Sequence, residues 1–174
     1  MNKEAQVFIL CEDTVHYHFA REYFKLLGFN RRRIILAGNN PKGQSVGSGA
    51  VLVQSNYEKQ VKAFHSKINH LECILVVIID DDKQEHIKSL YKIYTPLTDE
   101  KILIFSPKRN IESWFYYIDG NNINESDDYK KSYRNAKPTE FAKKLKEEIC
   151  ASGLPENAPS SLLQACKELN RIKL

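Results

Sequence analysis

The sequence predicts an α/β fold, a four-stranded, mainly parallel sheet flanked by helices and followed by a helical C-terminal extension. Three observations predict it. Short apolar runs alternate with longer segments whose apolar residues recur at three- and four-residue spacing, the pattern of strand followed by helix. Nearly every residue of 74–79 (ILVVII) is apolar, as expected of a strand covered on both faces. Each strand is separated from the next by a helical segment, which requires right-handed crossovers and a parallel sheet.

Residues 6–11 (QVFILC) read as the first buried strand. Val15, Phe19, Tyr23 and Leu26/Leu27 then share one helical face, and Gly28 supplies a helix stop. Residues 34–37 (IILA) give the second strand, followed by the turn-rich loop GNNPKGQSVGSG at 38–49. Val53, Tyr57, Val61, Phe64 and Ile68 keep helical spacing before the third strand at 74–79. Ile87, Leu90, Tyr91 and Tyr94 mark a third helix, and residues 102–105 a fourth strand. Ile111, Trp114, Phe115 and Ile118 place a helix directly after it, with Trp114 read as core. Residues 119–140 lack periodicity and read as a long polar loop, mobile or functional. A helix over 138–149 follows, then the linker ASGLPENAPS and an amphipathic helix over 161–172. The domain division is therefore an α/β unit over 1–150, with a linker and C-terminal helix over 151–174.

With 174 residues, 42% hydrophobic and 28% charged, the chain can bury one full core. No apolar run is long enough to span a bilayer, and MNKEAQVFILCEDT meets a carboxylate soon after its apolar centre. A cytoplasmic protein without a membrane partner is expected. The cysteines at 11, 73, 150 and 166 form no CxxC pair and no metal spacing, which suits buried thiols in a reducing compartment. Net charge is only +4, but basic residues cluster at Arg31–Arg33, Lys108-Arg109, Lys130-Lys131 and Lys143/Lys144/Lys146. Such clusters suit either a solvated surface or a polyanionic partner.

Ligands of open parallel sheets bind beyond the carboxyl ends of the strands. Glu12 and Asp13 end the first strand, Asp80 and Asp82 end the third, and Glu112 follows the fourth. Side chains alternate along a strand, so Asp80 and Asp82 share a face while Asp81 points away to solvent. Paired with Glu12 across a neighbouring strand, they make oxygen ligands for Mg²⁺ or Mn²⁺. Glu112 has two readings, a further ligand or a helix-start glutamate behind an Asn110 N-cap. The loop after the second strand offers a rival, Gly38-x4-Gly43-Gln44-Ser45, which departs from a P-loop by lacking the phosphate-binding lysine. Lys42 in that loop suits a grip on a nucleic-acid phosphate better than nucleotide hydrolysis.

An apolar strand ending in Glu12, an α/β alternation, and a strand ending in Asp80-x-Asp82 resemble the TOPRIM domain. The segment PKRNIESWF (107–115) is similar to one in small stand-alone TOPRIM proteins, and the resemblance spans roughly residues 5–118. It implies a Rossmann-like TOPRIM fold and metal-dependent cleavage of phosphodiester bonds in DNA or RNA, with Glu12, Asp80 and Asp82 catalytic. Glu12, Asp80, Asp82 and Glu112 would hold Mg²⁺ or Mn²⁺, while Lys42, Arg32, Lys108 and Arg109 would contact the nucleic-acid backbone. Asp13 and His16 stand where the family carries glycine and a second acid. His16 would then ligate a softer metal such as Mn²⁺ or mark a weakened second metal site, and Asp13 would supply the missing carboxylate. The resemblance also implies mobile-element or phage-defence systems, with a companion ATPase or other defence subunit as partner, and is compatible with a homo-oligomer. The alternative of another class is a non-catalytic subunit that keeps the fold and binds nucleic acid or a protein.

Overall fold

The computed structural model describes residues 4–38, 49–81, 85–149, 153–155 and 157–172. The chain runs β1 (Gln6–Cys11), α1 (Thr14–Leu26), a 3₁₀ turn (Arg31–Arg33), β2 (Ile34–Leu36), α2 (Ala50–Ile68), β3 (Cys73–Ile78) and α3 (His86–Ile93). It continues through β4 (Ile102–Phe105), α4 (Glu112–Ile118), α5 (Pro138–Lys144) with a π turn at Leu145–Ile149, and α6 (Ser160–Arg171). The sheet is wholly parallel, in the order β2-β1-β3-β4. After β2 the chain crosses over β1 to add β3 on its other side, so the winding reverses between β1 and β3. In such sheets that reversal opens a crevice at the carboxyl edge.

Local chemistry sets the boundaries. Asp13 accepts hydrogen bonds from the N–H groups of Val15 and His16 and caps α1. The helix closes on Gly28 at φ +97°, with Gly28 N–H donating to Lys25 O and Phe29 N–H to Phe24 O, the paired bonds of a Schellman stop. Along β1 and β3 successive side chains enter opposite cores. Val7, Ile9, Cys11, Ile74, Val76 and Ile78 pack under α1, α4, α5 and α6. Phe8, Leu10, Leu75 and Val77 pack under α2 and α3. Burial of both faces explains why β3 carries no polar residue. Trp114 is buried in the first of these cores, with Phe19 edge-on to it. Cys11 and Cys73 are buried free thiols. Among the described residues no helix is long and apolar enough to cross a membrane.

The carboxyl-terminal helix belongs to this body. Arg171 donates from Nη1 to the carbonyls of Leu97, Thr98 and Glu100, and from Nη2 to Ile102 O, fastening α6 to the entrance of β4. Arg171→Ala is expected to cost about 1.5–3 kcal/mol, the range for hydrogen bonds from a charged group. A urea unfolding curve with a lower midpoint and an unchanged slope checks it.

Two sequence expectations are corrected here. Asp81 is not a solvated residue: it is 8% exposed, its N–H donates to Pro107 O, and its carboxylate accepts from His86 N–H. The polypeptide keeps pairing past β3, which draws Asp81 under the next connection. Asn110 does not cap α4 with its side chain; its buried amide donates to Asp128 Oδ1 instead.

Candidate functional site

The register Cys11↔Ile78 leaves Asp80 one residue beyond Glu12 at the carboxyl end of the β1–β3 pair. The Asp80 N–H donates to Glu12 Oε1 at 2.8 Å. Asp80, 6% exposed, places Oδ1 2.9 Å from His16 Nε2 and Oδ2 3.9 Å from Lys130 Nζ. His16, 1% exposed, gives its other ring nitrogen to Asp13 Oδ1 at 2.8 Å. Asp13 is held in turn by its capping bonds at the start of α1. His86 Nδ1–H donates to the Asp80 carbonyl at 2.7 Å, anchoring the main chain of the same residue. Glu112 enters from the first turn of α4, and its Oε2 is buried with no hydrogen-bond partner among the described residues.

The charges respond to this crowding. Burial, then the neighbouring Asp80 carboxylate, pushes Glu12 up to about 7. Burial also raises the Glu112 carboxyl, and Asp80 raises it further. Burial opposes a charge on His16, but hydrogen bonds to Asp13 and Asp80 outweigh it and raise the imidazole to about 10. Burial works equally against the Asp13 carboxylate, and His16 overcomes it, holding Asp13 down at about 2. The arrangement is an imidazolium clamped between two carboxylates, with two further carboxyls beside Asp80 whose negative charge is under-compensated.

The polar segment 119–137 is part of the site. Asn110 Nδ2 and Lys130 N–H both donate to Asp128 Oδ1, at 3.0 Å each. Tyr129 stacks on Tyr116 of α4 at 4.4 Å between ring centroids. These contacts carry Lys130 to the carboxylates. Arg109 precedes them at φ +64°, with Asn110 N–H donating back to Lys108 O, a strained tight turn at the end of β4.

The sequence-predicted residues therefore divide. Asp80 contacts Glu12 and His16, Glu112 feels the charges of Asp80 and His16, and Lys108 and Arg109 lie on the same carboxyl edge. Lys108 Nζ is 3.9 Å from Glu125. Arg32 lies in the 3₁₀ turn that enters β2, at the opposite edge of the sheet from the carboxylates. Asp82 and Lys42, with the P-loop-like stretch, lie outside the described residues. Sequence reasoning missed Lys130 and Asp128 as site residues. Lys130-Lys131 stood out as a basic pair, but nothing local indicates that the segment folds back onto β3.

Both ring nitrogens of His16 are engaged by carboxylates, Nδ1 by Asp13 and Nε2 by Asp80, so the side chain spans the two acids. Among the described residues no three of His, Cys, Asp and Glu stand close enough together to hold a metal ion. In donor type, though not in present spacing, the carboxylates suit a hard divalent cation. Glu12, Asp80 and Glu112 offer only oxygen, and the buried Glu112 Oε2 has no hydrogen-bond partner among the described residues, a position that a cation could satisfy. No family model, curated protein or solved structure matches this chain.

Proposed function

We propose that this protein is a divalent-metal-dependent nuclease of TOPRIM type, cleaving phosphodiester bonds of DNA or RNA at the carboxylates around Asp80. The observation that carries the reading is that Glu12 and Glu112 both lie near Asp80 at the carboxyl edge of the sheet, each with a raised carboxyl pKa, and that Glu112 Oε2 is buried without a partner among the described residues. Glu12, Asp80 and Glu112, with Asp82, would hold Mg²⁺ or Mn²⁺, which when bound stabilises charge on the attacking and leaving oxygens of the phosphodiester. The chain's own groups supply the rest. Glu12, with a proton affinity near neutrality, is suited to exchange a proton with water or a leaving oxygen. The His16 imidazolium fixes the Asp80 carboxylate through Oδ1 and leaves Oδ2 to face Lys130. Lys130, Lys108 and Arg109 provide cationic groups on the same edge for the backbone phosphates, a mode of binding that is salt-sensitive and indifferent to sequence. The family resemblance, rather than any residue of the site, extends the reading to a defence system with a companion ATPase.

A second reading is favoured by one observation. His16 already compensates Asp80 at the position where the resemblance calls for another acid. On that reading the chain is a non-catalytic subunit that binds nucleic acid or a protein partner.

Cleavage assays separate the two. Single- and double-stranded DNA and RNA are incubated with the protein in Mg²⁺, Mn²⁺ or chelator. The nuclease reading expects metal-dependent cleavage of at least one substrate and its loss in Asp80→Ala/Asp82→Ala. Cleavage unchanged in that double variant overturns the catalytic assignment. Nucleic-acid binding without cleavage in either metal favours the subunit reading.

A further inference from the structure

We infer that residues 119–136 form a strap over the carboxylate crevice, latched by Glu125 to the amino end of α6, and that Glu125 is thereby a positioning residue for Lys130. The inference rests on the nuclease reading for its catalytic consequence, though not for the latch itself.

The latch is a compact set of charge-assisted hydrogen bonds. Glu125 Oε2 accepts from Ser160 N–H at 3.0 Å and Ser160 Oγ–H at 2.6 Å. Its Oε1 accepts from Ser161 N–H at 3.1 Å and from the Ser161 hydroxyl. The residue at the N-cap of α6 is Pro159, whose side chain has no oxygen to offer, so a carboxylate from a distant segment does the capping. Burial opposes the Glu125 charge, but the bonds from Ser160 and Ser161 overcome it and hold its carboxyl below the usual range. The Ser161 hydroxyl also accepts from the buried Trp114 Nε1–H at 2.8 Å. The contact thus reaches from the strap through α6 into the core.

From Glu125 to Lys130 the strap is braced by short polar bonds. Asp127 N–H donates to Asn124 O at 3.0 Å, and the Tyr129 hydroxyl donates to Asn124 O at 3.1 Å. Asp128 then ties to Asn110 and to the Lys130 N–H, and Lys130 faces Asp80. No residue of 119–136 is fully buried. A segment held by polar bonds with so little apolar burial opens at low free energy unless it is pinned. Glu125 is one pin and the Tyr129–Tyr116 stack another, while Tyr133, packed against Phe115 and Phe141, holds the far end of the segment to the core. Releasing Glu125 frees the half of the strap that aims Lys130, without touching β1, β3 or the carboxylates themselves.

The test pairs hydrogen–deuterium exchange with cleavage kinetics in Glu125→Ala, and independently in Ser160→Ala/Ser161→Ala. Both variants are expected to raise exchange across 121–130 by about tenfold or more while β1, β3 and the Tyr133 end of the strap stay protected. Cleavage by Glu125→Ala is expected to lose about tenfold in kcat/KM, most of it as a raised KM, because Lys130 is assigned to a backbone phosphate. Because both residues act through one group, Glu125→Ala/Lys130→Ala should be no slower than Lys130→Ala alone. Unchanged strap exchange in both variants overturns the latch. Raised exchange with full wild-type kcat/KM, or additive losses in the double variant, overturns the positioning role. If the wild-type protein cleaves nothing, it is the nuclease reading that falls, and the exchange result still decides the latch.

Discussion

His16→Ala is expected to destabilise the protein by about 3–5 kcal/mol, the cost of removing one partner from a buried ion pair. His16 is 1% exposed and bridges Asp13 and Asp80, so the truncation strands a buried carboxylate as well as opening space. The pH dependence identifies the cause. The folded-state imidazole is raised to about 10 from an ordinary 6.5, so its contribution is complete below pH 6.5 and is lost as pH climbs toward 10. Glu12 acts in the same direction. Its carboxyl is raised from 4.5 to about 7, so folding loses stability as pH rises through that window. Asp13 acts in the opposite direction: lowered from 3.8 to about 2, it contributes above pH 3.8 and its share is lost as pH falls toward 2. Wild-type stability measured by urea unfolding should therefore fall between pH 5 and pH 9. His16→Ala should lose the part of that slope above pH 7.

Glu112→Gln is expected to move stability and activity in opposite directions. The Glu112 Oε2 is buried without a partner among the described residues, and Asp80 repels its charge. Removing that charge relieves the repulsion, and for a half-buried group the gain is at most about 1 kcal/mol. The same change removes an anionic oxygen from the proposed metal shell, for which a loss of about 10²-fold in cleavage is expected. Thermal unfolding and cleavage rate on one preparation check both signs. A variant neither more stable nor slower would remove Glu112 from the site.

The fold was legible in the sequence because its signals are local. Apolar periodicity located each strand and helix to within a few residues, and the unbroken apolar stretch of β3 announced burial on both faces. The carboxyl-edge placement of Glu12, Asp80 and Glu112 followed from the same pattern, since parallel strands present their ends together. What escaped was decided by long-range contact. His16 was legible as a residue of the site, but its pairing with Asp80, 64 residues on, was not. Lys130 and Asp128 lie in a segment without periodicity, whose course is fixed by Tyr116, Asn110 and the first turn of α6. Asp81 resembled a solvent-facing residue by alternation, but continued pairing with Pro107 O turned it inward. Arg32 looked like a companion of the other basic residues until strand direction put it at the far edge.

The central claim is that the carboxylates around Asp80 form a divalent-cation site. Mn²⁺ binding, followed by electron paramagnetic resonance on the wild-type protein and on Asp80→Asn, tests it most directly. Saturable binding by the wild-type protein, lost in Asp80→Asn while the fold is retained, is the predicted result. Binding of equal affinity in both proteins, or none in the wild-type protein at millimolar Mn²⁺, would contradict it.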